Sequence, residues 1–539
     1  MRSGVSAVPC GPESGAWVLA AAILGSSMAF IDSTVVNVAL PAIQANFHTT
    51  VVSVQWVVES YGLFLGALIL VGGSLGDLFG RRLVFLAGVA IFAASSAGCG
   101  TASTIDRLIL ARSIQGVGAA LLVPGSLAMI SASFNETTRG RAIGTWSGFT
   151  AITTAIGPVL GGWMLAHTSW RWAFFINLPL AAVVMVISLW RIPESRSQVA
   201  ERVDWWGGFL ATIGLGGLVN GFIESVDLGW KNPLVIVSLL VGLGALIGFM
   251  LVEAAVTSPM LPLALFASRS FAGANLVTLF LYAAIGIFFF LFPLDLIQVQ
   301  GYSTTATGAA IFPMILLLFF LSRWSGGLIA RYGARGPLVI GPVVAALGFV
   351  LFAVPSVGDT YWREFFPAVM VLGFGMAITV APLTTVVMNS ISPDRVGTAS
   401  GINNAVARVS GVLAIAVLGI VMFKAFASRL DSSLVRFSLP PALLEQLQGN
   451  EIKLAGMQVP AGLDPSAKAA VEAAIGEAFV FGFRIVMLTC AGLSLASAAV
   501  GWFMIEIDID FEKDRASQAL SPERSTTGAP GAGGQKTRR

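Results

Sequence analysis

The chain has 539 residues, 56% hydrophobic and only 11% charged, with a mean hydropathy of +0.84. Soluble chains carry about 25% charged residues, so the composition excludes an ordinary soluble enzyme and points to a polytopic membrane protein. The net charge of +3 gives no footing for a nucleic-acid partner, and the three cysteines, Cys10, Cys99 and Cys490, are odd in number, which predicts no structural disulfide.

In lipid each backbone polar group must be paired inside its own segment, so the spans are helices and the predicted fold is all-α. A span needs about 20 apolar residues. Fourteen such runs are predicted, near 17–40, 53–75, 83–103, 105–130, 143–166, 170–191, 205–225, 233–253, 271–297, 304–324, 336–356, 363–389, 404–426 and 480–505. The first is too long for a signal-peptide core and reads as a retained helix.

An even number of spans puts both termini on one side. With the N-terminus inside, the inner short loops hold Arg81, Arg82, Arg139, Arg141, Arg191, Arg196, Arg202, Arg269, Arg323, Arg331, Arg335 and Arg395. The outer short loops hold only Arg107, Arg171, Lys231 and Arg363. The bias predicts an N-in, C-in topology, and the long outer loop 427–479, with Arg429, Arg436, Lys453 and Lys468, is exempt from it. Within that loop Ser466–Ala478 reads as an amphipathic helix. The expected organisation is a cytoplasmic N-terminus (1–16), a six-helix bundle (17–191), a linker with two inserted helices (192–253), a second six-helix bundle (254–505) and a disordered cytoplasmic tail (506–539).

The first charged break between apolar runs is Gly73-Ser74-Leu75-Gly76-Asp77-Leu78-Phe79-Gly80-Arg81-Arg82. Its glycines allow a sharp turn, and its charges fall where a helix meets water. At an offset of 253, Gly326, Leu328, Tyr332, Gly333 and Arg335 match Gly73, Leu75, Phe79, Gly80 and Arg82, and Gly397, Ser400 and Gly401 match Gly144, Ser147 and Gly148. Two loops obeying one offset imply two repeated halves around a central site. Ala330 stands where Asp77 would repeat, so the copies differ at their gates.

The Gly73–Arg82 stretch resembles the loop signature of the major facilitator superfamily. Ile31–Pro41, with Asp32, resembles the first-helix motif of its fourteen-helix drug:proton antiporter family, and Arg112–Ala119 resembles the superfamily's fourth-helix motif. Gly157-Pro158-Val159-Leu160-Gly161-Gly162 resembles the fifth-helix motif of its antiporters. Trp170-Arg171-Trp172, Asn177, Pro179 and Asp204-Trp205 also look like this family. The resemblance implies a major facilitator fold of 6+2+6 helices, a monomer, and a coupling role for the acid of the first helix and the arginine of the fourth.

Charged groups at mid-membrane are costly and are functional candidates. Asp32, Glu59 and Arg112 each lie six to eight residues from the outer end of a span, or roughly 10 Å deep at 1.5 Å per residue. One depth invites one cluster. Arg112 would hold one carboxylate ionised while the other carries the proton, against the reading of a static buried salt bridge. Glu224 and Asp295, near the outer ends of spans 7 and 9, are further candidates, although the family more often has an aromatic residue at the latter place. Glu253 reads as solvated, His48 and His167 as loop-edge residues, and Arg408, Asn403 and Asn404 as cavity lining or helix bridges. Asp77, Arg81 and Arg82 are expected to form an inner gate. Gly157, Pro158, Gly161 and Gly162 are expected to act through shape, by close packing and a helix bend.

No phosphate-binding loop with G-x-x-x-x-G-K-(S/T) spacing occurs, and no Cys/His cluster suggests a metal. No cofactor is expected, and a proton gradient is the implied energy source. The sequence reading is a proton-coupled exporter of hydrophobic or cationic compounds in a plasma membrane, a bacterial inner membrane by its short N-terminus. Its rivals are a narrow exporter of one natural product or siderophore, a symporter of the same fold, and a non-transporting receptor or assembly protein. A periplasmic adaptor is a candidate partner for 427–479.

Overall fold

The computed structural model describes residues 12–134, 136–196, 203–256, 259–391, 396–435, 441–457, 459 and 464–506. The expectations for the first eleven residues, for Arg202, Arg395 and Arg436, and for the tail from 507 fall outside the described residues, as does part of 427–479.

The described residues form helices and no strands. In chain order they are α1 (Pro12–Phe47), α2 (Val51–Phe79), α3 (Arg81–Thr101), α4 (Ile105–Ser133), α5 (Glu136–His167), α6 (Trp172–Phe175), α7 (Asn177–Arg191), α8 (Trp205–Asp227), α9 (Pro233–Ala255), α10 (Arg269–Leu294), α11 (Thr304–Ala310), α12 (Phe312–Gly326), α13 (Leu328–Tyr332), α14 (Arg335–Phe352), α15 (Phe366–Asn389), α16 (Val396–Leu434), α17 (Pro441–Gln448) and α18 (Pro465–Met504). Their starts follow ordinary capping chemistry. Thr50, Thr104 and Ser268 accept from the backbone N–H groups of Ser53, Arg107 and Phe271.

Thirteen helices or helix pairs among the described residues are long and apolar enough to cross a membrane. The predicted span at 143–166 lies in α5, a helix of 32 residues that is not among the thirteen, so fourteen crossings remain the expectation. Several predicted spans are broken or extended. The sixth is divided between α6 and α7 and the tenth between α11 and α12. The ninth ends in a π turn, Asp295–Val299, and the twelfth begins in one, Tyr361–Phe365. The predicted amphipathic helix at 466–478 is the first part of α18, continuous with the last span.

The repeat seen in the sequence recurs in the geometry. Gly80 and Gly333 both adopt positive φ, +120° and +70°, which favours glycine at the two equivalent turns. Arg82 donates to the Ile192 carbonyl just past α7, and Arg335 donates to the Ile505 carbonyl just past α18. Each repeated arginine therefore ties down the end of a long helix, α7 in one case and α18 in the other.

Packing differs between the two ends of the molecule. At the end predicted to face outside, one apolar core is continuous from Val36, Leu40, Val54 and Trp170 to Phe288, Phe292, Phe352 and Phe426. At the opposite end α1–α4 and α7 close over their own core, with Phe85 and Phe92 at its centre. Residues from α10, α14, α15 and α16 close over another, around Phe271, Leu338 and Val386. One continuous core joins the helices across the middle at one end, whereas at the other the two groups keep their own cores and touch where Leu70 of α2 packs against both and Ala405 of α16 against the first.

Candidate functional site

Asp32 of α1, Ser96 of α3, Arg112 and Gln115 of α4 and Asn177 of α7 meet in one fully enclosed polar network. Arg112 Nη1 is in direct contact with Asp32 Oδ2. The other oxygen, Oδ1, accepts from Gln115 Nε2 at 2.9 Å and from Asn177 Nδ2 at 3.1 Å. Arg112 also donates to Gln115 Oε1 at 2.8 Å and, through Nε, to the Val57 carbonyl of α2 at 3.0 Å. Ser96 Oγ accepts from Asn177 and Gln115 and donates to the Phe174 carbonyl. The guanidinium lies 4.2 Å from the centre of the Tyr61 ring and 5.8 Å from that of Phe174. Every group around Asp32 is a donor, the surroundings of an ionised carboxylate.

Glu59 does not join this network. The expected single cluster is corrected: Arg112 reaches α2 at the Val57 carbonyl, and Glu59, two residues on, lies about half a turn round the helix. Val52, Trp56, Leu63 and Ala67 form a stripe at helical spacing, packed against Leu215, Val219 and Ile223 of α8 and Val412 and Ala416 of α16. Glu59 occupies the same stripe by its spacing. It is fully buried, and neither carboxylate oxygen has a hydrogen-bond partner.

Of the further candidates, Glu224 accepts from Trp56 Nε1 at 2.9 Å and so ties α8 to α2. Asp295 is buried at the start of the π turn, with Oδ1 unpartnered. Glu253, expected to be solvated, is instead 3% exposed, because the 259–261 segment folds back over it. Arg408 of α16 reaches the Phe30 ring of α1 at 5.4 Å. Asn403 bridges to Asn275 and Thr278 of α10, whereas Asn404 is exposed. His48 sits in the α1–α2 turn, and His167 is an exposed residue bonded to its own helix.

The gate residues are engaged locally. Asp77 accepts two bonds from Arg81, at 2.9 and 2.8 Å. Glu194, which the sequence reading missed, accepts from the backbone N–H groups of Arg82 and Leu83. The hydrogen bonds and ion pairs of Asp77, Arg81 and Arg82 among the described residues fall within the α2–α3 turn and the 192–195 segment.

The fifth-helix glycines divide their work. A Cβ on Gly157 would overlap Thr34 of α1, and one on Gly161 would meet Val35 at 2.9 Å. A Cβ on Gly162 would overlap the Thr304 backbone of α11, and one on Gly308 of α11 would overlap the carbonyl of Pro158. Thr304 and Thr305 hydroxyls donate to the Gly162 carbonyl at 3.0 and 3.1 Å. The motif thus joins α5 to α1 on one face and to α11 across the middle of the molecule on another.

A cap lies over the same end. Gln44 of α1 donates to the Lys453 carbonyl at 3.2 Å and accepts from Gln298 at 2.9 Å. Leu447, Leu454 and Met457 are buried in the shared core. Burial, and then the neighbouring Asp431, pushes the Glu451 carboxyl up to about 7.

Comparison with known proteins sets these features in a family. The profile of the Major Facilitator Superfamily matches residues 22–415. The chain is similar to multidrug resistance protein Stp of Mycobacterium tuberculosis, 32% identical over 530 residues, 94% of this chain and 96% of that protein. It is similar to the tetracenomycin C resistance and export protein of Streptomyces glaucescens, 31% identical, with 98% of each chain covered. The puromycin resistance protein pur8 of Streptomyces alboniger is 30% identical, with 97% of this chain and 99% of that protein covered. Among solved structures, a bacterial homologue of the human lysosomal transporter Spinster, inward-facing and unoccupied, aligns with a TM-score of 0.61 at 15% identity, covering 91% of this chain and 98% of that one.

Proposed function

The chain belongs to the major facilitator superfamily, and from that premise we propose that it is a proton-coupled exporter of drugs or other hydrophobic and amphipathic compounds. It is a multi-pass plasma-membrane protein and a transporter, not an enzyme. The relatives named for drug resistance or export match it over nearly their full length, which supports outward transport. We place it in a bacterial inner membrane as a monomer of two six-helix bundles, α1–α7 and α10–α18, with α8 and α9 inserted between them. A periplasmic adaptor is not needed for this reading, since 441–457 already packs on the chain's own outer end.

The observation that carries the coupling is the contrast between two fully buried acids. Asp32 is saturated with donors, whereas Glu59 has none. A charge without a partner is not tolerated in an apolar interior, so Glu59 carries the proton in this conformer while Arg112 and the amides hold Asp32 as an anion. Opening of the α2–α8–α16 face would expose Glu59 to the other side and let the proton leave. The continuous core at the outer end, with Gly162, Gly308 and the cap, forms a closed outer seam, and the smaller contact between the two inner cores supports an inward-facing arrangement. Asp77, Arg81, Arg82 and Glu194 form a brace at the inner end of the first bundle that must keep its shape as the bundles rock.

Export is tested with inside-out membrane vesicles energised by a proton gradient and offered a panel of amphipathic cations, puromycin and tetracenomycin C. Gradient-dependent accumulation of several unrelated compounds supports the broad reading. Two of the three relatives are named for one antibiotic each, which favours a second reading, a narrow exporter. Accumulation of one compound class alone would select it, and gradient-independent binding without accumulation would contradict both.

A further inference from the structure

At the inner end of α8 and α9 lies a second pair of acids that the transport reading does not use. Asp204 caps α8, with Oδ1 accepting from the Gly207 N–H at 2.8 Å. Glu253 closes α9, with Oε2 accepting from the Leu261 N–H at 3.0 Å. The side chains are 8% and 3% exposed. The remaining oxygens, Asp204 Oδ2 and Glu253 Oε1, have no hydrogen-bond partner. They converge on one point: a Cβ on Gly207 would overlap Asp204 Oδ2 and lie 2.9 Å from Glu253 Oε1.

The side chains packed nearby are apolar, namely Val71 and Leu75 of α2, Ala211 of α8, Phe249 of α9, and Val203 and Met260 of the flanking segments. The backbone N–H groups of Met260 and Leu261 face Glu253, and Asp204 is the charged group that faces it. Among the described residues neither acid pairs with a lysine or arginine. Glu201 and Arg202 lie outside the described residues.

We propose that Asp204 and Glu253 bind one proton between them and so form a second proton site, remote in sequence and surroundings from Asp32 and Glu59. Two adjacent carboxylates in an apolar setting repel each other, and one proton turns the repulsion into an O–H···O⁻ bond that uses both free oxygens. The same Glu253 side chain anchors Leu261, at the segment that leads from α9 into α10. With the proton bound, that segment is docked on the α8–α9 pair. Without it, Glu253 is driven from Asp204 and the anchor on Leu261 loosens. The site therefore links proton occupancy at the predicted cytoplasmic end to the connection between the inserted helices and the second bundle.

Infrared difference spectroscopy of the purified full-length protein, titrated in pH, reads the protonated-carboxyl C=O band directly. The expected result is a band lost in both Glu253→Gln and Asp204→Asn but retained in Asp32→Asn. A band unchanged by both substitutions would overturn the proposal, as would a wild-type band displaced by Na⁺ or K⁺ at fixed pH, which would make the occupant a metal cation. Hydrogen exchange of the wild type keeps the test independent of variant folding. After correction for intrinsic rates, protection of the 259–266 amides should fall as the band titrates away, and in Glu253→Gln it should not change with pH. Wild-type protection that ignores pH would contradict the link, and so would neutralisation of the pair by Arg202, seen as a titrating band that neither Glu253→Gln nor Asp204→Asn alters.

Discussion

Asp32 and Glu59 are equally buried, and their surroundings differ: donors surround the first, and the second has no hydrogen-bond partner. Removing Arg112 strands a buried anion with only two amide donors, so Arg112→Ala should cost about 3–5 kcal/mol of stability. Asp32→Asn strands a guanidinium that cannot lose its charge and keeps only the Val57 and Gln115 acceptors, and should cost a similar amount. Thermal unfolding in detergent reads both losses, and a variant that unfolds like the wild type would contradict the network as described. Glu59→Gln replaces one side chain without a hydrogen-bond partner by another of the same shape and, if Glu59 holds the proposed proton, should leave unfolding unchanged. The charges of this network were legible in the sequence, because ionisable residues at one depth in apolar spans are rare. Depth follows from counting residues, but direction around the helix axis depends on packing, so one shared depth suggested a cluster that Glu59 does not join. The stripe of Val52, Trp56, Leu63 and Ala67 was the available signal. Gln115 and Asn177 stood in recognised motifs, yet nothing local marked them as donors to Asp32. Glu253 was read as solvated because a helix end usually is, and the segment that covers it returns from eight residues on.

Between helices, small residues set how closely the outer seam can shut. Gly162→Val and Gly308→Val each place a side chain where another backbone runs, so each should hold the seam open. A Gln44→Cys/Gln298→Cys pair reports on closure, since these side chains touch across the seam. Crosslinking should be efficient alone and fall several-fold with either valine; undiminished crosslinking would show that α5 and α11 do not control closure. The cap adds a pH dependence. Glu451 sits at about 7 when seated, above its ordinary 4.5. The seated form therefore binds the proton more tightly, so this contribution to seating is full below about 4.5 and is lost as the pH rises through about 7. A spin label at Lys453→Cys should be immobile in acid and gain mobility across that window. Glu451→Gln should abolish the change, and mobility that rises as pH falls would reverse the sign. The motif glycines were legible as packing residues, but their division between α1 and α11 was not, because both partners are distant in sequence.

At the scale of the whole molecule, the repeat at an offset of 253 was the strongest sequence signal, and it reappears as two positive-φ glycines and two arginines holding equivalent helix ends. The conformational reading was not written in the sequence, since it depends on which end of the molecule holds the continuous core. The central claim is that export is coupled to protons through Asp32 and Glu59. The most direct measurement uses proteoliposomes with a pH-sensitive dye inside, in which a substrate gradient drives proton movement. The account predicts substrate-driven proton flux in the wild type, its loss to background in Asp32→Asn and in Glu59→Gln, and retained substrate binding in Glu59→Gln. Undiminished flux in both variants would contradict it.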